Sequence, residues 1–92
     1  MLYVYILRSL SDGTLYTGQT NDVRDRVRRH NRGQIQSTKA KAPYELAYFE
    51  IVGTRAEAMR REWQLKKKYN TERKRRLIEA FDAGEIEKIM GL

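Results

Sequence analysis

Residues 3–30 read YVYILRSLSDGTLYTGQTNDVRDRVRRH, and most of the fold prediction rests on them. Two short β-rich segments, residues 2–7 and 14–18, are separated by the tight-turn signal Ser11-Asp12-Gly13. Because so short a connection permits only antiparallel pairing, the two segments are predicted to form a hairpin. The first segment has no alternating polar residue, which predicts a strand covered on both faces in the middle of its sheet.

A basic helix is predicted immediately after the hairpin. Good capping residues at positions 20–22 indicate where it begins, and it should run to about residue 31. Val23 and Val27 make a narrow apolar stripe, on which His30 lies with Arg26 beside it. This helix buries little, so its basic content outweighs its contribution to the core.

The rest of the chain adds one strand and more helix. The pattern predicts a polar, basic, flexible loop over 34–43, a third strand over 44–52 beside the first, a helix over 55–69, a final helix over 72–83 and a short turn over 85–90. We therefore predict an α+β fold of the α/β sandwich type, with a small three-stranded antiparallel sheet flanked by helices. Residues 1–92 should form a single domain, with a core over 2–70 and a C-terminal helical extension over 71–92.

Composition narrows the class of protein. Nineteen Lys and Arg against twelve Asp and Glu leave a net charge of +7, which favours a polyanionic partner, most simply nucleic acid. Alternatively, the positive charge belongs to a soluble surface that has no partner. The absence of cysteine excludes disulfides and thiolate zinc sites, and a single histidine excludes a His-rich metal site. The first apolar run ends at Arg8, too early for a signal peptide or a membrane span, so a cytoplasmic protein is expected.

Glu62 is the most informative irregularity in the later helix. On a helical wheel it falls inside a broad apolar arc, where a carboxylate is costly unless it is paired, hydrogen-bonded or bound to a metal. Two explanations of Glu62 are possible at this point: a salt bridge to one of the arginines, or a metal site. The arc comprises Ala58, Met59, Trp63, Leu65 and Tyr69.

These elements together resemble the GIY-YIG nuclease domain. Tyr3-Val4-Tyr5 stands at the first family motif, with Tyr3 in place of its glycine, and Tyr16-Thr17-Gly18 stands at the second. The helix with Arg26 looks like the family's arginine helix, and residues 56–62 look like the segment that leads to its metal-binding glutamate, Glu62. The resemblance covers roughly residues 2–70. It is nearest to the small stand-alone, UPF0213-like branch, and is similar to the N-terminal nuclease domain of the UvrABC excinuclease.

The resemblance implies an endonuclease that hydrolyses phosphodiester bonds in DNA with one Mg²⁺ or Mn²⁺ held by Glu62. Arg26 would bind the non-bridging oxygens, and Tyr5 would activate water, either as a phenolate base with a depressed pKa or by orienting it. Tyr16 would hydrogen-bond the phosphate or the water network, and His30 would act as base or phosphate ligand.

Further residues are expected to contact the substrate without reading its sequence. They are Gly18, Arg24, Arg28, Arg29, Lys39, Lys41 and Asn70. Singly, each site residue also has a structural explanation, as a core tyrosine, a packed or capping histidine, or a surface arginine. A non-catalytic nucleic-acid-binding module and an interaction protein with an incidental basic surface are therefore alternatives. A protein partner could supply specificity, and a role in repair or recombination follows only by analogy with the family.

Overall fold

Three antiparallel strands form the centre of the molecule, whose computed structural model describes residues 1–91. They are β1 (Leu2–Ser9), β2 (Leu15–Thr20) and β3 (Tyr44–Val52). Their order is β2-β1-β3, so the predicted central position of the first strand and the place of the third beside it are confirmed. The second strand runs two residues further than predicted, because Gln19 and Thr20 continue the ladder opposite Val4 and Tyr3.

Four α-helices surround this sheet, and each begins at a side chain that accepts a hydrogen bond from a backbone N–H of the first turn. The capping residues are Asp22, Thr54, Asn70 and Asp82. No helix within residues 1–91 is long and apolar enough to cross a membrane. The helices are α1 (Val23–Asn31), α2 (Arg55–Trp63), α3 (Thr71–Ala80) and α4 (Ala83–Met90), and α2 continues as a π-helix over Gln64–Lys68.

The helices cover both faces of the sheet, as the α+β prediction requires. Helices α1 and α4 pack against the face that carries Tyr5 and Leu7. The opposite face carries Val4 and Ile6, and it is covered by α2, the π-helix and α3. Since side chains alternate along a strand, β1 supplies the centre of both apolar layers.

Three predictions about local structure were wrong. The final helix ends at Ala80, and residues 83–90 form a second helix in place of the predicted turn. The cause is Asp82, whose carboxylate accepts from the Gly84 N–H and starts α4. The loop over 34–43 also contains a 3₁₀ turn, Lys39–Lys41.

The predicted apolar arc of α2 is too wide. Ala58 and Leu65 are fully buried, but Met59 is 60% exposed and Trp63 is 51% exposed. Each helical residue advances about 100°, which places these two side chains beyond the edge of the buried strip. Glu62 therefore lies at the boundary between the buried strip and the solvent, not in the middle of a buried face.

Candidate active site

The two motif tyrosines lie on one face of the hairpin. In the β1–β2 ladder, Tyr5 pairs with Gly18 and Leu7 pairs with Tyr16, so both tyrosine side chains project to the α1 side. His30 of α1 contacts both: its ring centroid lies 6.0 Å from that of Tyr5 and 5.0 Å from that of Tyr16. The hairpin and α1 thus bring together three residues predicted for the site.

A chain of buried hydrogen bonds fixes His30. Its Nε2 bonds the Tyr5 hydroxyl at 2.9 Å, and its Nδ1 bonds Thr38 Oγ1 at 2.7 Å. The Tyr44 hydroxyl donates to the Thr38 carbonyl at 3.1 Å. Sequence reasoning missed Thr38 and Tyr44, because their link to His30 crosses a loop that carries no periodic signal.

The position of the Tyr5 hydroxyl leaves no room for a side chain at residue 18, which is a glycine. A Cβ at position 18 would lie 2.5 Å from Tyr5 Oη and 2.7 Å from its Cζ, closer than any tolerated contact. Gly18 was predicted to contact the substrate, and here its missing Cβ makes room for a buried phenol. An alanine at this position would push Tyr5 away from His30.

Burial sets the protonation states of this cluster. Burial raises the pKa of Tyr5, the neighbouring Tyr16 adds to the increase, and the positive charge of Arg26 only partly opposes it. This shift is opposite in direction to the depressed pKa that a phenolate base would need. Burial, followed by repulsion from Arg26, lowers the pKa of His30 from 6.5 to about 4, so its imidazole is neutral near pH 7.

The stability of the fold should fall on mild acidification because of His30. In the unfolded chain His30 binds a proton near pH 6.5, whereas in the folded chain it does so only near pH 4. The contribution of neutral His30 to stability is therefore present above pH 6.5 and is lost as the pH falls toward 4. The free energy of unfolding should drop by about 2 kcal/mol between neutral pH and pH 5. Urea denaturation at both pH values measures this. In His30→Gln the drop should shrink, and an unchanged drop would assign it to other groups.

Tyr16 differs from Tyr5 in access. Tyr5 is 2% exposed, whereas Tyr16 is only half-buried. Within residues 1–91 the Tyr16 hydroxyl has no hydrogen-bond partner, and no buried side-chain polar atom of this part of the chain lacks one. The Tyr16 hydroxyl must therefore reach solvent. It is the phenol that a water molecule or a phosphate can approach.

Arg26 differs from the other arginines of α1 in its environment. Its side chain is half-buried, and its positive charge opposes the rise in the pKa of Tyr5 and lowers the pKa of His30, so the guanidinium lies within electrostatic reach of this cluster. Arg24, Arg28 and Arg29 are exposed, and Arg29 pairs with Asp25 at 3.0 Å. These three remain predicted phosphate contacts at the surface.

Glu62 reaches the site from α2, across the edge strand β2. Gln19 Nε2 donates to Glu62 Oε1 at 2.8 Å, and Lys66 Nζ pairs with Oε2 at 2.7 Å. Lys66 Nζ also lies 5.6 Å from the ring centroid of Tyr16, so it links the carboxylate to the tyrosine cluster. The charge of Glu62 contributes to the raised pKa of Tyr5, which indicates that the carboxylate is within electrostatic reach.

Two contacts that the sequence did not reveal fix the groups around Glu62. Gln19 also accepts from Arg55 Nη1 at 3.0 Å, so its amide is oriented with its N–H toward Glu62. The preceding residue of the helix, Arg61, forms a forked pair with Glu50 of β3, with Nη2 to Oε2 at 2.8 Å. Arg61 thereby anchors α2 on the sheet beside the carboxylate.

The donor set suits a hard cation bound mainly by water and substrate. Residues 1–91 contain no group of three or more His, Cys, Asp or Glu that could hold a metal, which leaves Glu62 as a single carboxylate. Mg²⁺ keeps several waters and commonly takes one or two protein carboxylates plus phosphate oxygens. The Glu62 side chain is 20% exposed, so a cation could reach it once Lys66 Nζ moves from Oε2.

The remaining predicted contacts lie outside this cluster. Lys39 is exposed on the 3₁₀ turn, and Lys41 Nζ pairs with Asp12 at 3.5 Å. The Asn70 side chain caps α3 by accepting from the Arg73 N–H at 2.8 Å. Its predicted contact with substrate stays a prediction, and capping already accounts for the residue.

Comparison with known proteins identifies the family of the chain. A family model described as the GIY-YIG catalytic domain matches residues 1–76. UPF0213 proteins of Staphylococcus aureus strains Mu3 and N315 are 47% identical over 77 residues, which cover 83% of this chain and 92% of each relative. The solution NMR structure of UPF0213 protein BH0048 from Bacillus halodurans is 31% identical, covers 96% of this chain and 94% of its own, and superposes with a TM-score of 0.57. The chain therefore belongs to the GIY-YIG family, a family of nuclease domains, and within it to the UPF0213 group.

Proposed function

We propose that this protein is a metal-dependent endonuclease that hydrolyses phosphodiester bonds in DNA. The observation that carries the proposal is the convergence of five side chains around the edge strand β2. Tyr5, Tyr16 and His30 are in mutual contact, and the charges of Arg26 and Glu62 both act on Tyr5. The net charge of +7 suits a polyanionic substrate.

Each side chain has a distinct task in this proposal. Arg26 offers a fork of fixed positive charge to the non-bridging oxygens, where negative charge grows in the transition state. The accessible Tyr16 hydroxyl donates to the phosphate or holds the attacking water. A divalent cation bound at Glu62 would polarise the phosphoryl oxygen and stabilise charge on the leaving group.

Tyr5 and His30 form the support beneath Tyr16. Neutral His30 can accept a hydrogen bond from the Tyr5 hydroxyl at Nε2 while its Nδ1–H donates to Thr38 Oγ1. Because Tyr5 is enclosed, we assign it to positioning and assign contact with water or phosphate to Tyr16.

The two tyrosines should therefore respond differently to loss of the hydroxyl. Tyr16→Phe is expected to lower the cleavage rate by about a hundredfold with little change in stability, because only a solvent-facing hydroxyl is removed. Tyr5→Phe should cost about 1–3 kcal/mol of stability as well, because it leaves buried His30 without a partner. Nicking rates and urea denaturation of both variants test the assignment, which the reverse pattern would overturn.

One observation favours a second function, a nucleic-acid-binding module without turnover. Both oxygens of Glu62 are already engaged, one by Gln19 and the other by Lys66. If Lys66 holds that position in the presence of DNA and Mg²⁺, the carboxylate cannot bind a cation, and the basic surface would serve binding alone.

Nicking of supercoiled plasmid and of a branched duplex discriminates these functions. The purified protein is incubated with Mg²⁺, with Mn²⁺ or with EDTA, and binding is followed in parallel by fluorescence anisotropy at several salt concentrations. The nuclease proposal predicts cleavage that EDTA abolishes. Salt-sensitive binding with no cleavage of either substrate would support the binding module instead. A repair or recombination role, and a protein partner that supplies specificity, rest on analogy with the family.

A further inference from the structure

An exposed aromatic surface lies beside the candidate active site. Trp63 and Met59 are one helical turn apart on the outer face of α2, and both are more than half exposed. With Gln19, Glu62 and Lys66 they line a groove of about 220 Å³. Neither side chain belongs to the two apolar cores, so packing does not explain them.

The surroundings of this surface are basic. Lys68 Nζ lies 5.2 Å from the ring centroid of Trp63, and Lys66 Nζ lies between Glu62 and the ring of Tyr16. Arg60 and Lys67 are exposed on the same helical segment. An aromatic ring among cations fits a ligand that carries both a flat apolar face and a negative charge, which is the chemistry of a nucleotide.

We propose that Trp63, with Met59 beside it, is a platform on which an unstacked base of the substrate lies. This inference rests on the proposed function, because it places that base next to the phosphate that faces Glu62. In an intact duplex both faces of each base are covered by its neighbours, so the platform is usable only where a base is unpaired or turned out of the stack. The surface thus selects single-stranded, branched or locally melted nucleic acid over regular duplex.

The test uses the fact that Trp63 is the only tryptophan of the chain, so that fluorescence excited at wavelengths that tyrosine does not absorb reports on this side chain alone. The full chain is titrated in EDTA, which prevents cleavage, with a short single-stranded oligonucleotide and with the same sequence as a duplex. The inference predicts strong quenching by the single strand and little by the duplex. Trp63→Ala should lower single-strand affinity about tenfold, while Trp63→Phe keeps most of it. Leu10→Ala, which removes another exposed apolar side chain from a different surface, should change neither affinity.

Three results would overturn the platform. The first is single-strand binding, seen by anisotropy, with no change in tryptophan fluorescence. The second is an equal loss of single-strand and duplex affinity in Trp63→Ala. The third is fluorescence that changes with protein concentration but not with nucleic acid, which would make the surface a contact between copies of the chain. Because binding is measured without metal, the test of the platform remains valid even if the protein does not cleave DNA. Conversely, plasmid nicking by wild type with no fluorescence response would refute the platform alone.

Discussion

Glu62→Gln is expected to lower the nicking rate by about a thousandfold, because a bound cation stabilises the transition state by several kcal/mol and about 1.4 kcal/mol is tenfold in rate. The amide keeps the shape and can still accept from Gln19, but it cannot supply the negative charge that a divalent cation requires. DNA affinity should not fall, since one negative charge facing a polyanion is removed. Single-turnover nicking rates and anisotropy give the two quantities.

Glu57→Gln is the matched control for this variant. Glu57 lies on the same helix, is exposed, and takes part in the cap with Thr54, which glutamine can preserve. The Glu57→Gln variant should cleave at the wild-type rate. If the Glu57 and Glu62 variants lose activity equally, the effect is one of general charge, and Glu62 is not a metal ligand.

Arg26→Ala is expected to lower the cleavage rate by about a hundredfold to a thousandfold, because a fixed cation is removed from beside the reacting phosphate. The same loss of charge at Arg28, which is exposed on the same helix, should weaken DNA binding slightly and leave the rate at saturating DNA unchanged. Rates at saturating DNA separate the two effects. Equal rates in the two variants would reduce Arg26 to an ordinary phosphate contact.

Much of the fold could be predicted from the sequence because its signals are local. The unbroken apolar run of β1 indicated a central strand, and the turn at Asp12-Gly13 required an antiparallel hairpin. Capping residues marked the start of α1. The end of α3 and the presence of α4 were missed because Asp82, which caps α4, lies inside the span predicted for a single helix.

The site was harder to predict because its contacts join distant parts of the chain. His30 was placed beside Arg26 from helical spacing, but its bond to Thr38 depends on how the loop folds back. Gln19 lies just beyond the predicted strand, and nothing in the sequence indicated that α2 would bring Glu62 against it. The width of the apolar arc was also misjudged, since periodicity shows which residues share a face and not how far the sheet covers that face.

The role of Glu62 as metal ligand is tested by the rate of plasmid nicking as a function of Mg²⁺ concentration, measured in parallel for wild type and Glu62→Gln from identical purifications. We expect the wild-type rate to rise with Mg²⁺ to a plateau, while the variant stays near background at every concentration. Identical curves for the two proteins would contradict it, because the cleaving metal would then be held without Glu62.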